Sequence, residues 1–143
     1  MSRIARLLVV AAAAAVVVLG TAPAAEAHGF SSTVYADLTS PAKEHVRAQL
    51  GLEYDLLVVS AADAAKDDPL FKDGTAAFES GDSAQQAAAL TKHADTVVRY
   101  ATQRFTITAD GQACTANRDG DFTIEEREGV PYVALVQIGR AHV

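Results

Sequence analysis

Two alternating stretches near the start of the chain constrain its fold most strongly. Within residues 32–39 and 46–54, apolar and polar residues follow each other with a period of two. This is the pattern of a strand with one buried face. Ser40-Pro41-Ala42-Lys43 lies between the two stretches and has the composition of a turn. The sequence therefore predicts an antiparallel β-hairpin, with Val34, Ala36 and Leu38 on the buried face of its first strand.

The middle of the chain has a helical pattern instead. In residues 55–65, Leu56-Leu57-Val58-Val59 could continue the strand, whereas residues 60–65 favour a helix, and we expect a short helix here. Asp67-Asp68-Pro69 breaks it, and residues 70–78 favour one or two further helical turns. From Ser83 to Arg104 apolar residues recur at helical spacing, and Ser83 with Gln86 three positions later fits a capping box. The sequence predicts one continuous helix over residues 83–104.

The last third of the chain returns to strand-like segments. It contains residues 105–109, a turn at Asp110-Gly111, a strand carrying Cys114, a turn at Asp119-Gly120 and a final strand Tyr132–Val136. Sheet elements thus flank a helical middle, and the predicted fold class is α+β. We expect an antiparallel sheet built from the N-terminal hairpin and the C-terminal strands, with the helices inserted between them.

The first 27 residues have the organisation of a secretion signal. Arg3 and Arg6 precede an unbroken apolar run from Leu7 to Leu19, and Ala25-Glu26-Ala27 is a small-residue cleavage site. The run has 13 residues, whereas roughly 20 are needed to span a bilayer. We therefore expect an exported protein whose mature chain begins at His28.

Removal of this signal from the 143 residues leaves 116, enough for one small domain. Two of the 12 Lys/Arg residues and one of the 18 Asp/Glu residues lie in the signal, so the mature segment has a net charge of −7 with neutral histidines. Such a surface repels nucleic acids and anionic lipid headgroups. We expect no nucleic-acid partner, and the sequence identifies no small-molecule substrate.

Cys114 is the only cysteine in the chain. In an exported protein, an unpaired cysteine suggests a partner on another chain or on an absent part of this one. Residues 137–143 read as the translation of a common sequencing-library adapter, although a native basic tail is the alternative. We expect residues 28–137 to be an incomplete extracytoplasmic domain, residues 138–143 to be adapter read-through, and the natural protein to be longer.

Three histidines of the mature segment are candidate metal ligands. A histidine at a processed N-terminus chelates copper through its amine and ring nitrogen, and one further imidazole completes a three-nitrogen site for Cu(II). His28-Gly29-Phe30 is similar to the mature start of lytic polysaccharide monooxygenases, but the chain has no tryptophan and no aromatic surface for a polysaccharide. His45, on the polar face of a strand, and His93, beside the helical stripe, are predicted to be surface residues rather than ligands.

Two acidic segments suggest weaker cation sites. Thr115–Glu126 partly matches a calcium loop, but Thr115 stands where a carboxylate is required, so a turn between strands is favoured. The second segment holds four aspartates that could attract divalent cations or simply be solvated at a helix boundary. These are Asp63, Asp67, Asp68 and Asp73. No pattern for a nucleophile, a phosphate loop or a zinc site is present, so we do not expect an enzyme.

Four segments of the mature chain carry a family resemblance. They are Ala27-His28-Gly29-Phe30-Ser31-Ser32, Leu50–Leu57, Tyr100–Cys114 and Arg127-Glu128-Gly129-Val130-Pro131-Tyr132. In this order and spacing they resemble the N-terminal extracytoplasmic region of bacterial HupE/UreJ family membrane proteins. The resemblance implies a leader domain ahead of a bundle of transmembrane helices, some of them histidine-bearing, in proteins associated with nickel or cobalt uptake. It also implies a second cysteine just after the strand Tyr132–Val136, as the partner of Cys114.

Two functions follow as hypotheses. The first is the non-catalytic, exported leader domain of a HupE/UreJ-like protein, truncated before its transmembrane helices and lying on the outer face of the cytoplasmic membrane. Its partner would be its own missing transmembrane bundle. The second is a free-standing secreted or periplasmic copper-binding module that uses His28. The metal ions implied are nickel, cobalt or copper. A secreted hydrolase is a weaker third possibility, for which the sequence shows no catalytic set.

Overall fold

The structure is a computed structural model that describes residues 32–42, 45–109 and 112–140. Within these ranges its elements, in chain order, are two strands, four helices and five further strands. They are β1 (Tyr35–Ala42), β2 (His45–Glu53), α1 (Tyr54–Ala65), α2 (Asp68–Ser80), α3 (Ser83–Lys92), α4 (Ala94–Arg104), β3 (Thr108–Ala109), β4 (Gln112–Ala113), β5 (Thr115–Arg118), β6 (Thr123–Arg127) and β7 (Val130–Arg140).

Strand β7 lies at the centre of the main sheet. One of its edges pairs antiparallel with all of β2, from His45 opposite Arg140 to Glu53 opposite Tyr132. Its other edge pairs with β6 over residues 130–134 and with β5 over residues 137–140. Strand β1 lies outside β2, and β3 and β4 form a separate two-stranded sheet. The predicted α+β class, with an antiparallel sheet and a helical insertion, is confirmed.

The core lies between one face of this sheet and the helices. The sheet contributes alternate residues of β2 and β7, and the helices contribute apolar residues of α1, α2, α3 and α4. At the contact between α1 and α2, a Cβ atom on Gly74 would lie 2.5 Å from a methyl carbon of Val58. Only glycine therefore permits this close approach of the two helices. The phenol of Tyr54 donates to the carbonyl of Gly74 at 3.3 Å, and burial raises the pKa of Tyr54 to about 12.

The helices stop short of the outer strand of the hairpin. Val34 and Leu38 were expected to be buried, but their exposed fractions are 43% and 63%. The predicted strand does form, and Leu38 of β1 lies opposite the buried Ala48 of β2. The expected burial of Leu38 and of the likewise exposed Ala36 is wrong because β1 is an edge strand, and periodicity does not reveal how far a covering layer extends. Val34 precedes β1 and lies at an open groove instead of in the core.

The continuous helix predicted over residues 83–104 is also wrong, because α3 ends at Lys92 and α4 begins at Ala94. Asp82, rather than Ser83, caps α3, and its carboxylate accepts from the backbone N–H groups of Ala84 and Gln85 at 2.8 and 3.1 Å. These bonds, the one from Gln85 first, lower the pKa of Asp82. The break falls at His93, whose side chain is held by groups outside both helices.

The C-terminal strands differ from the prediction in extent and number. The final strand is longer than expected and runs from Val130 to Arg140, and β6 was not predicted. The segment Thr115–Glu126, which partly matches a calcium loop, forms β5, a short link and most of β6. This agrees with the favoured prediction of a turn between strands. In this link Asp119 N–H donates to the carbonyl of Val136 at 2.9 Å, and Phe122 enters the core. No helix within the described ranges is long and apolar enough to cross a membrane.

Candidate functional site

Among the described residues, the most highly connected polar cluster lies where the α1–α2 connection, α2 and the break between α3 and α4 meet. We call it the His93 junction. Its members are Asp67, Asp73, Lys92, His93 and Thr96. Asp67 comes from the connection, Asp73 from α2, and the other three from the end of α3 and the start of α4. The junction therefore joins parts of the chain up to 29 residues apart.

The imidazole of His93 lies between two carboxylates. Its Nε2 is 2.8 Å from Asp73 Oδ2, and its Nδ1 is 3.7 Å from Asp67 Oδ2. The side chain is only 11% exposed. The expectation that His93 is a surface residue is therefore wrong, because the helix break turns the ring towards Asp67 and Asp73. Periodicity alone gives no indication of this break.

Each carboxylate of the junction has further partners. Asp67 caps α2 by accepting from Leu70 N–H at 2.9 Å, and it accepts from the hydroxyl of Thr96 at 2.8 Å. The Leu70 bond and then the Thr96 bond lower the pKa of Asp67. The hydrogen bond to His93, followed by that from Lys92 at 2.7 Å, lowers the pKa of Asp73. Both carboxylates are thus stabilised in their ionised form.

This arrangement is suited to holding helices together rather than to catalysis. The carboxylate oxygens that face His93 already accept from Lys92 or Thr96, as well as facing the ring. No group of three or more His, Cys, Asp or Glu residues in the described ranges is placed to hold a metal ion. The structure brings together Asp67 and Asp73 from the acidic segment, whereas Asp63 forms an exposed ion pair with Lys66.

The other predicted histidine ligands are not part of this junction. His45 is the first residue of β2 and lies opposite Arg140 of β7, and its carbonyl accepts from the hydroxyl of Ser40 at 3.1 Å. It is half-buried rather than a fully exposed surface residue. His28 lies outside the described residues, so the copper site based on it stays a prediction.

Cys114 immediately precedes β5. Its side chain is buried and its thiol is not in a disulfide. Across from it, a Cβ atom on Gly139 of β7 would lie 2.8 Å from Cys114 Cβ and 3.8 Å from its Sγ. Bridged cysteines have Cβ atoms about 3.5–4.5 Å apart. Position 139 therefore faces Cys114, and a cysteine there would need a shift of about 1 Å to reach bridging distance.

An apolar groove of about 330 Å³ separates the start of α1 from the end of α4. Leu52, Leu56 and Leu57 line one side, and Tyr100 and Phe105 line the other. The guanidinium carbon of Arg104 lies 5.0 Å from the ring centroid of Tyr100. The groove is large enough for one or two apolar side chains of a partner, with a cation at its edge.

In comparisons with known proteins, no family model, no curated protein and no solved structure matches the chain.

Proposed function

We propose that this chain is the exported, non-catalytic leader domain of a HupE/UreJ-like membrane protein that takes up nickel or cobalt. The natural chain continues into transmembrane helices, and the domain packs against them on the outer face of the cytoplasmic membrane. The proposal starts from the sequence resemblance and from the secretion signal. The observation that carries it further concerns two residues near the end of β7, one with a buried amide that lacks partners and one that faces a buried free thiol.

Gln137 is the first of these residues. It is 0% exposed, and neither its amide nitrogen nor its amide oxygen has a hydrogen-bond partner among the described residues. Burial of an amide without partners costs about 1–3 kcal/mol. The cross-strand neighbour of Gln137 on β2 is the fully buried Ala48, and such a position ordinarily holds an apolar side chain.

Gly139 is the second. It lies two positions further along β7, on the same face, and leaves the buried thiol of Cys114 without a disulfide partner. Both residues belong to the segment that reads as adapter sequence. An apolar residue at 137 would remove the unpaired amide. A cysteine at or beside 139 would pair the thiol, provided that the backbone shifts by about 1 Å to relieve the 2.8 Å contact with Cys114 Cβ. This supports a natural chain that differs from the present one after Val136 and carries the cysteine that the family resemblance implies.

The apolar groove offers a surface for a docking role. Its two walls come from the segments Leu50–Leu57 and Tyr100–Cys114, which are separate in sequence and carry the resemblance. The partner proposed here is the membrane-embedded part of the same protein.

The first experiment is to sequence the genomic locus downstream from the codons of α4. Reproduction of the sequence through Val136 is the internal control for the correct locus. We expect an apolar residue at 137, a cysteine within about ten residues of Val136, and then several apolar runs of roughly 20 residues. A genomic stop codon after Val143, with residues 137–143 unchanged, would contradict the proposal.

The second experiment tests uptake and docking with the recovered full-length gene. We expect cells that express it to accumulate more nickel or cobalt than cells carrying the empty vector. Leu56→Asp, in the groove, is expected to lower this accumulation, whereas Val59→Asp is not. Val59 lies on the same helix, 46% exposed and outside the groove. No gain over the empty vector would refute the uptake function, and equal effects of the two variants would refute docking through the groove.

A further inference from the structure

Helix α2 exposes two phenylalanine side chains on one side. Phe71 and Phe78 are 47% and 38% exposed. They are seven positions apart, which corresponds to about two helical turns, so they lie above one another on the same side of the helix. Thr75 lies between them and is half-buried. We call these three residues the α2 seam.

The α2 seam is held in place by the rest of the fold. One face of the Phe78 ring stacks on Tyr54 of α1, with the ring centroids 6.1 Å apart and the planes at 8°. The helix is capped by the side chain of Asp67 at its start and by Gly81, in the left-handed conformation, at its end. A surface that is already ordered loses little conformational entropy when it binds a partner.

Two opposite charges flank the α2 seam. Lys72 and Glu79 are exposed and are also seven positions apart, so they form a second row beside the phenylalanines. Neither side chain has an ion-pair partner within 4.0 Å among the described residues, whereas the other two lysines in these ranges pair with carboxylates. The surface of α2 therefore presents an apolar row and, alongside it, a cation and an anion that are both free to pair.

We propose that two copies of this chain associate through their α2 seams, with the two helices antiparallel and a twofold axis at Thr75. Phe71 lies four positions before Thr75 and Phe78 three positions after it, so each Phe71 contacts the partner's Phe78. Lys72 lies three positions before Thr75 and Glu79 four positions after it, so each Lys72 pairs with the partner's Glu79. In both pairs the two residues are offset by only one position, about 1.5 Å along the axis.

The charges select this orientation and this partner. Parallel helices would place Lys72 beside Lys72 and Glu79 beside Glu79, whereas the antiparallel pair places opposite charges together on both sides of the axis. A seam from one helix is smaller than a standard interface of about 1,600 Å², so the dimer is weak and reversible. The α2 seam shares no residue with the apolar groove, and the inference is therefore independent of the proposed membrane partner.

The test is sedimentation equilibrium of the purified protein over a range of concentrations. We expect a monomer at low concentration and a growing dimer fraction as the concentration approaches about 1 mM. Phe71→Asp is expected to weaken self-association by about tenfold or more, because it removes two apolar contacts from each dimer. Leu38→Asp is the matched control, since Leu38 is also an exposed apolar residue but lies on β1. A protein that stays monomeric at about 1 mM, or equal losses in the two variants, would overturn the proposal.

Charge reversals test the antiparallel orientation. Lys72→Glu and Glu79→Lys, made separately, each place like charges together and should weaken self-association by about fivefold or more. They change the net charge in opposite directions, so a loss in both is not an effect of net charge. The double variant Lys72→Glu/Glu79→Lys should regain the original affinity, and a mixture of the two single variants should associate more tightly than either alone. Unchanged association in the single variants, or no recovery in the double variant, would contradict the antiparallel dimer.

Discussion

The His93 junction and the carboxyl end of β7 both bury polar side chains, but only the junction supplies these side chains with hydrogen-bond partners. At the junction, His93 contacts two carboxylates, and those carboxylates also bind a backbone N–H, a hydroxyl and an ammonium group. At the end of β7, Gln137 is more deeply buried than His93, and its amide has no partner in the described structure. Two residues further along β7, Gly139 faces the buried thiol of Cys114, which is not in a disulfide.

The difference shows which part of the fold is internally consistent. The junction connects helices that all lie, in the sequence, between the hairpin and the C-terminal strands. Each of its polar side chains has a bonding partner. The end of β7 has the backbone pairing of a central strand but lacks matching side chains. Native proteins rarely leave buried polar atoms without partners. Substitutions at the two places should therefore have opposite effects on stability, and the largest effect is expected at Gly139.

The first prediction supplies the missing partner of Cys114. In Gly139→Cys, air oxidation is expected to form an intramolecular disulfide between Cys114 and the introduced cysteine, detected by the loss of two free thiols in a thiol assay. Because the bond closes a loop of 25 residues, it should raise the free energy of unfolding by about 3 kcal/mol, less the strain of adjusting the Cβ positions.

A second cysteine tests the register of this disulfide. Ala116 lies opposite Gly139 on β5, so adding Ala116→Cys to Gly139→Cys lets two thiols compete for position 139. We expect peptide mapping to find the bond to Cys114, because a Cβ atom at 139 lies closest to Cys114 Cβ. A bond to Cys114 that forms in Gly139→Cys but gives no stabilisation would contradict the view that a partner is missing.

The second prediction removes the centre of the junction. His93→Ala is expected to lower the free energy of unfolding by about 2 kcal/mol, because a mostly buried group bonded to charged partners is lost. Urea denaturation followed by circular dichroism measures it. Lys92→Ala is the matched control, since Lys92 contacts the same Asp73 oxygen but its side chain is 68% exposed. A much smaller effect is expected there, and equal effects of the two variants would mean that the burial of His93 is unimportant.

The third prediction removes the orphaned amide. Gln137→Leu is expected to raise the free energy of unfolding by about 1–2 kcal/mol, because it eliminates two unsatisfied polar atoms without leaving a cavity. The control is Gln49→Leu on β2, at a half-buried position next to the buried Ala48. It should change stability by less than about 0.5 kcal/mol. Destabilisation by Gln137→Leu would show that the amide does have partners in solution.

The fourth prediction concerns pH. The pKa values of Asp67, Asp73 and Asp82 are lowered in the folded protein, so these groups add stability above their unfolded pKa, about 3.9. This contribution is lost as the pH falls below about 4 and the folded carboxylates become protonated. We expect stability to decline between about pH 4 and about pH 2, and the decline to be shallower in Asp67→Asn. A pH-independent stability in that window would contradict the ionised junction.

Much of the fold was predictable from local patterns. Period-two alternation identified the hairpin, and Asp67-Asp68-Pro69 identified the break between α1 and α2, because a capping side chain and proline act within one helical turn. The division of residues 83–104 at His93 was not predictable. Neither helix requires the break, and the side chains that hold His93 come from residues 67 and 73.

The sequence by itself determined the α+β class, the hairpin and the single cysteine, and it predicts the export signal. Each of these depends on residues that are close in the chain or on simple counts. The tertiary structure alone decided that β7 is the central strand, that His93 lies between two aspartates, and that positions 137 and 139 face the core and Cys114. These features depend on pairing between segments distant in sequence, where strand register and helix packing decide which side chains meet.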